Sequence, residues 1–209
     1  DLYNGQKDIE NIIINFVGKA EERIIEDPLR VLRAFRFMSR LKFSLSENTV
    51  EAIKKQKELL KNIPEERITM EFSKLLLGEN IKNTLTLMKD MGVLELIIPE
   101  FKATYDFNQC NPHHNLDLFN HIINVVSKVP ADLGLRYSAL LHDIAKPVVQ
   151  TFDEEGIAHY KTHEIVGADM ARDILTRLKL PVKLIDTVTE IIKKHMILYR
   201  DVTDKKFNK

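Results

Sequence analysis

The stretch IIEDPLRVLRAFRFMSRLKF, residues 24–43, sets the character of the fold. Asp27 is a good helix N-cap, Pro28 suits the first helical position, and acids at a helix start oppose the positive end of its dipole. At about 100° per residue, Val31, Leu32, Ala34, Phe35, Met38 and Leu41 share one broad face. Arg33, Arg36 and Arg40 fall within about 60° of one another on the other face. The pattern predicts an amphipathic helix with a core side and a cationic stripe.

The same period recurs outward from this helix, over Ile9–Phe16, Val50–Leu60, Met70–Leu77, Ile81–Met91, Leu116–Val129, Leu133–Ile144, Ile165–Leu178 and Leu184–Leu198. Breaks fall at Gly18, Ser44–Asn48, Pro64, Gly78, Pro99 and Pro181. The expected fold is therefore all-α. One exception is VVQTFDEEGIAHY, residues 148–160, which reads as a β-hairpin turning near Glu155-Gly156. Turn formers in ATYDFNQCNP, residues 103–112, mark the main boundary.

Composition narrows the chemistry. No window approaches the roughly 18 uninterrupted apolar residues of a membrane helix, and no signal peptide opens the chain, so a cytoplasmic protein with no membrane partner is expected. The single cysteine, Cys110, excludes an internal disulfide framework and a thiolate zinc cage. Net charge is zero but unevenly spread: residues 1–29 hold seven acids and three bases, and residues 30–61 hold nine bases and three acids. The basic block is the place to look for phosphate. All seven histidines lie beyond residue 112, so two jobs are segregated along the chain.

In the histidine half, His121 sits in the apolar run LFNHIINVV and His142-Asp143 in LLHDIAKP, followed by His163 and His195. An adjacent His-Asp pair offers imidazole and carboxylate ligands from one turn, with the carboxylate able to bridge two ions. The order H…HD…H…H, with Lys146 three positions after Asp143, resembles the HD superfamily of metal-dependent phosphohydrolases over residues 111–199. That resemblance implies that His121, His142, Asp143, His163 and His195 hold one or two divalent ions, with Mn, Ni, Fe, Mg and Zn all open. It further implies that Asp143 and Lys146 serve the hydrolysis, Lys146 by holding a phosphate. His114 is a candidate for an outer contact. The pattern departs at Met196, where some HD proteins carry an aspartate after the last histidine.

In the arginine half, Asp27 and Arg30 lie three apart on one turn and present an acceptor beside a donor fork. Such a pair matches the edge of cytosine or adenine, whose exocyclic amine donates to the carboxylate, and it repels the carbonyl of uracil or guanine. A capped helix start accounts for Glu26-Asp27-Pro28 on its own, and a solvated stripe accounts for the arginines. Three motifs point further. Asp1 to Asp8 fit DxxxGxxD, Glu26-Asp27-x-x-Arg30 with LRAFRF fit EDxxR and its trailing LRAxRF, and Glu66-Arg67-x-x-x-Glu71 fit ERxxxE. In these motifs the chain resembles the tRNA nucleotidyltransferase and bacterial poly(A) polymerase family.

The resemblance implies a nucleotide-selecting neck over residues 1–60, body helices over 61–110 and an HD domain over 111–209. Asp27 and Arg30 would form the template for CTP or ATP, with Glu26 positioning them. Arg67 and Glu71 would pair at i, i+4 and brace the template helix, and Arg33, Arg36 and Arg40 would track RNA. The partners implied are a tRNA 3′ end, CTP and ATP; the oligomeric state is left open. Transfer in this family uses a head domain whose Asp-x-Asp pair holds Mg²⁺. No such pair occurs in the 209 residues, so a fragment that adds no nucleotides by itself is expected. Other readings stay open from the residues: C-only, A-only or poly(A) addition by the parent, an RNA-binding scaffold with a degenerate HD domain, or a stand-alone HD phosphohydrolase whose N-terminal half dimerises.

Overall fold

Side-chain caps, at Ser46 and Asp117, start two of the helices in the computed structural model, which describes residues 1–109 and 117–197. His113, His114 and Leu198 lie outside the described residues. The chain divides into two compact units, Asp1–Pro99 with Ala131–Leu133, and Glu100–Pro130 with Gly134–Lys209.

The first unit runs α1 (Gly5–Glu10), β1 (Ile13–Ile14), α2 (Ala20–Glu26), α3 (Arg30–Leu41), β2 (Ser44–Leu45), α4 (Glu47–Gln56), a 3₁₀ segment (Lys57–Asn62), α5 (Glu65–Leu76), α6 (Ile81–Asp90) and α7 (Leu94–Ile97). Helix α3 starts later than a simple Asp27 cap requires. Asp27 ends α2 in extended conformation, its carboxylate accepts the Leu29 N–H at 3.3 Å, and its carbonyl accepts the Arg30 N–H at 3.0 Å. Lys42, in the left-handed region at φ 60°, closes the helix by donating its N–H to Met38 O. Val31, Leu32, Ala34, Phe35 and Met38 are buried as the periodicity predicts, but Leu41 is half exposed. Ser46 starts α4 by accepting the Thr49 N–H at 3.1 Å.

Residues 9–16 depart from the expected helix. Helix α1 ends at Glu10, Ile12 turns through φ 59°, and Ile13–Ile14 pair in parallel with Ser44–Leu45. The physical reason is the run Ile12-Ile13-Ile14: β-branched side chains lose freedom in a helix and suit an extended backbone. Helix α2 escapes the periodicity because its only buried positions are Ala20 and Ile24.

The second unit carries a 3₁₀ segment (Pro99–Thr104, straddling the division), α8 (Leu118–Lys128), α9 (Leu133–Leu141), α10 (Lys146–Val149), β3 (Thr151–Phe152), β4 (Ala158–His159), α11 (His163–Arg177) and α12 (Val182–Lys194). Asp117 starts α8 by accepting the Asn120 N–H at 2.8 Å. Strands β3 and β4 form the antiparallel hairpin expected, with Gly156 at φ 78° in its turn. Phe119 anchors the core, meeting Phe101 and Tyr105 edge-on at 6.4 and 5.3 Å between ring centroids. The described chain is thus helical apart from two two-stranded sheets, and no described helix is long and apolar enough to cross a membrane.

Candidate functional site

In the second unit, α9 stops at Leu141 and the chain turns through His142 and Asp143 before α10 begins at Lys146. That turn carries a carboxylate into the interior, where Asp143 is 2% exposed. Around it the fold gathers His121 from α8, His163 from the first turn of α11 and His195 from the end of α12. Asp143 Oδ2 lies 3.3 Å from His121 Nε2 and 3.1 Å from His142 Nε2. Asp143 Oδ1 lies 3.4 Å from His163 Nε2 and 3.8 Å from His195 Nε2. All five residues singled out in the sequence converge, in two groups of three that share Asp143.

The donors suit a divalent ion. Ligand bonds of about 2.0–2.2 Å put neighbouring donors roughly 3.0–3.5 Å apart, and the two Nε2–Nε2 separations here are 3.3 Å (His121–His142) and 3.2 Å (His163–His195). Tautomers agree with this. His142 Nδ1 donates to Ala139 O at 2.8 Å, His163 Nδ1 to Tyr160 O at 2.7 Å and His195 Nδ1 to Ile192 O at 2.6 Å. Each ring spends its proton on a carbonyl three residues back, so each Nε2 turns a lone pair toward the centre, the outer-shell device that orients metal-binding imidazoles. Burial also keeps the His195 imidazole below its ordinary value, favouring the neutral ligand form. For Asp143 burial acts the other way, but charge and Nε2–H donation from His142 and His121 in their protonated form, with Lys146 beside them, outweigh it and hold the carboxyl well below its usual range.

Lys146 is buried beside Asp143, with Nζ 2.8 Å from Oδ2. A residue the sequence does not mark, Gln109, joins it: Lys146 Nζ donates to Gln109 Oε1 at 3.0 Å. Nothing periodic distinguishes Gln109 among the turn formers around it; only burial, 2% exposed, does. His159 stands apart on β4, paired with Asp153 at 2.7 Å.

In the first unit, the turn between α2 and α3 sets Asp27 and Arg30 at the head of α3. Arg30 Nη1 donates to Arg23 O at 3.0 Å and to Glu26 Oε2 at 3.1 Å. Those contacts use one terminal nitrogen of the fork. Asp27 lies between two cations, Arg33 at 3.6 Å and Arg67 at 3.5 Å. The Asp27 and Arg30 side chains keep a quarter to a third of their surface exposed. Arg67 and Glu71 do not pair with each other as expected; each reaches off α5 instead. Glu71, almost fully buried, faces Arg36 with Nε and Oε2 2.8 Å apart, an ion pair outside hydrogen-bond alignment. The bracing thus runs between elements, because the buried Glu71 faces α3 rather than solvent along its own helix. Arg33 is half-buried and Arg40 exposed, while Arg36 lies 4.4 Å from the Phe37 ring centroid.

A family model described as the probable RNA and SrmB-binding site of polymerase A matches residues 42–104, and the HD domain model matches residues 119–204. The A-adding tRNA nucleotidyltransferase of Deinococcus radiodurans is 32% identical over 94% of this chain and 47% of its own length. The CC-adding tRNA nucleotidyltransferase of Thermus thermophilus is 32% identical over 84% of this chain and 43% of its own length. Among solved structures, the Bacillus stearothermophilus CCA-adding enzyme in complex with CTP aligns at a TM-score of 0.57 and 25% identity, over 94% of this chain and 41% of that one. The chain spans about half the length of the curated relatives it matches. With its EDxxR, LRAxRF and ERxxxE motifs on α2, α3 and α5 and its HD centre in the second unit, the chain belongs to the tRNA nucleotidyltransferase and poly(A) polymerase family.

Proposed function

We propose that the chain is the nucleotide-selecting, RNA-supporting and HD-bearing part of a tRNA nucleotidyltransferase. The parent enzyme adds C and A from CTP and ATP to tRNA 3′ ends in the cytoplasm, with Mg²⁺ serving transfer in a head domain. One observation carries the reading: Asp27 and Arg30 stand together, partly exposed, at the head of α3 and are held there by Glu26, Arg33 and Arg67. A carboxylate there accepts from the exocyclic amine that cytosine and adenine share, and the free part of the Arg30 fork donates to the adjacent ring acceptor. Arg33 and Arg40 extend from the template as phosphate contacts, and Arg36, tied to Glu71, supports the helix.

In the intact protein, Asp27→Ala and Arg30→Ala should abolish the preference for CTP and ATP over UTP and GTP in primer extension on tRNA. Unchanged selectivity in both variants would return the motif to a helix start.

The second unit is a divalent-metal phosphohydrolase in the same reading. The ion would be held by His121, His142, Asp143, His163 and His195, and when bound it supplies Lewis-acid charge and an activated water. The chain's own contribution is to hold His121 beside three histidines, His142, His163 and His195, whose Nδ1–H groups are fixed on backbone carbonyls, around a buried Asp143. Phosphodiester hydrolysis that needs added divalent ion and fails in His142→Ala tests it; a protein that neither binds metal nor hydrolyses is a scaffold.

A further inference from the structure

We infer that Gln109 and Lys146 form a brace that positions Asp143 for metal binding, and that Lys146 serves this brace rather than a substrate phosphate. The inference rests on the metal reading above.

Lys146 offers three N–H donors on a point charge. One goes to Asp143 Oδ2 at 2.8 Å, one to Gln109 Oε1 at 3.0 Å, and the ammonium lies 5.3 Å from the Tyr160 ring centroid. All this happens in the interior: Lys146 is 6% exposed, Gln109 and Asp143 each 2%. A lysine awaiting a phosphate keeps its head in the open site; this one is enclosed by partners.

Gln109 is itself held. Tyr160 Oη donates to Gln109 O at 2.6 Å, and Gln150 Nε2 donates to Tyr160 Oη at 3.2 Å. Tyr160 also accepts the His163 Nδ1 proton at its backbone carbonyl. One residue thereby fixes the backbone of Gln109 and the tautomer of a histidine facing Asp143. The chain Gln150–Tyr160–Gln109–Lys146–Asp143 leaves the carboxylate a single orientation, with Oδ2 toward His121 and His142 and Oδ1 toward His163 and His195. Outer-shell partners of this kind typically change metal affinity by 10- to 100-fold when removed.

Gln109→Leu tests the brace without altering charge. Mn²⁺ binding to the full chain, measured by calorimetry and by the electron paramagnetic resonance of the bound ion, should weaken by about 10-fold or more. Gln109→Glu, which keeps the acceptor oxygen, should bind at least as tightly as wild type, and its recovery separates the brace from a folding defect. If Lys146 instead holds phosphate, Gln109→Leu will bind Mn²⁺ like wild type, and Lys146→Met will lose only inorganic phosphate binding by the Mn²⁺-loaded protein. That result overturns the brace alone. Failure of the wild-type chain to bind Mn²⁺ at all overturns the metal reading and the brace with it.

Discussion

Arg36 on α3 and Glu71 on α5 meet with Nε and Oε2 2.8 Å apart, and the glutamate is almost fully buried. This contact joins α3, which opens just after Asp27, to α5. Removing one partner of a buried pair leaves the other charged and desolvated, which typically costs about 3–5 kcal/mol. Arg36 retains some exposure, so Glu71→Ala should cost about 3 kcal/mol in urea unfolding. A double Arg36→Leu, Glu71→Leu variant should recover most of that loss. If the single variant unfolds at the wild-type midpoint, the pair contributes nothing to holding α3.

Asp27 does two jobs with one carboxylate. It accepts the Leu29 N–H before α3 and stands between Arg33 and Arg67. A lost hydrogen bond costs about 1 kcal/mol, and surface pairs add a few tenths. If the proposed selection role holds, Asp27→Ala should lower stability by only about 1 kcal/mol while removing nucleotide selection in the intact enzyme. Comparing unfolding midpoints with CTP, ATP and UTP incorporation separates the two effects.

Gly78 lies where the end of α5 comes close to α3. A Cβ there would fall 2.1 Å from Ser39 Oγ and 2.6 Å from Ser39 C and O. The backbone atoms cannot give way as a side-chain end would, and Ser39 is tied down further by its Oγ to Leu75 O at 2.8 Å and its carbonyl to Asn80 N at 2.9 Å. Gly78→Ala should cost about 3 kcal/mol by overpacking, measured by thermal or urea unfolding. The sequence marks Gly78 as a helix break, which it is, but not as a close approach, because a neighbour thirty-nine positions away leaves no local trace.

The same distinction governs what else is legible. The apolar stripe of α3 follows from period and residue type, and the four histidines around Asp143 from the order H…HD…H…H and the superfamily it resembles; both signals are local motifs along the chain. The parallel pairing of Ile13–Ile14 with Ser44–Leu45 depends on a partner strand thirty-one positions away, and so leaves an apolar run that reads equally well as helix. Arg67 and Glu71 are visible as a motif, yet spacing assigns them to each other, since it gives helical neighbours and says nothing of which element faces them. Gln109 is invisible for the same reason: its meaning comes from Lys146, thirty-seven positions on.

Glu100 and Arg177 make a bidentate pair in the second unit, both bonds at 2.8 Å. Burial by itself would raise the Glu100 carboxyl, but Arg177 and the Glu100 backbone N–H together hold it below its ordinary 4.5. The folded value is the lower one, so the native state binds fewer protons than the unfolded chain. The pair's contribution is therefore complete above pH 4.5 and is lost as pH falls through the folded value. With Arg177 about two-fifths exposed, screening limits it to about 1 kcal/mol. Glu100→Gln should be less stable than wild type in urea at pH 7, with the difference shrinking as pH falls below 4.5; a difference that persists undiminished at pH 3 would exclude an ionic origin.

Four imidazoles gathered around one buried carboxylate make the second unit's stability answer to divalent metal. An ion that binds the folded state and not the unfolded chain stabilises it by mass action, about 2.7 kcal/mol at a hundredfold excess over Kd. Mn²⁺ should accordingly raise the unfolding temperature of the wild-type chain in proportion to the logarithm of its concentration. Asp143 belongs to both donor groups, whereas His121 and His195 belong to one each. Asp143→Asn should abolish the shift, and His121→Ala and His195→Ala should each reduce it. An equal, full shift in Asp143→Asn would mean that the ion binds elsewhere.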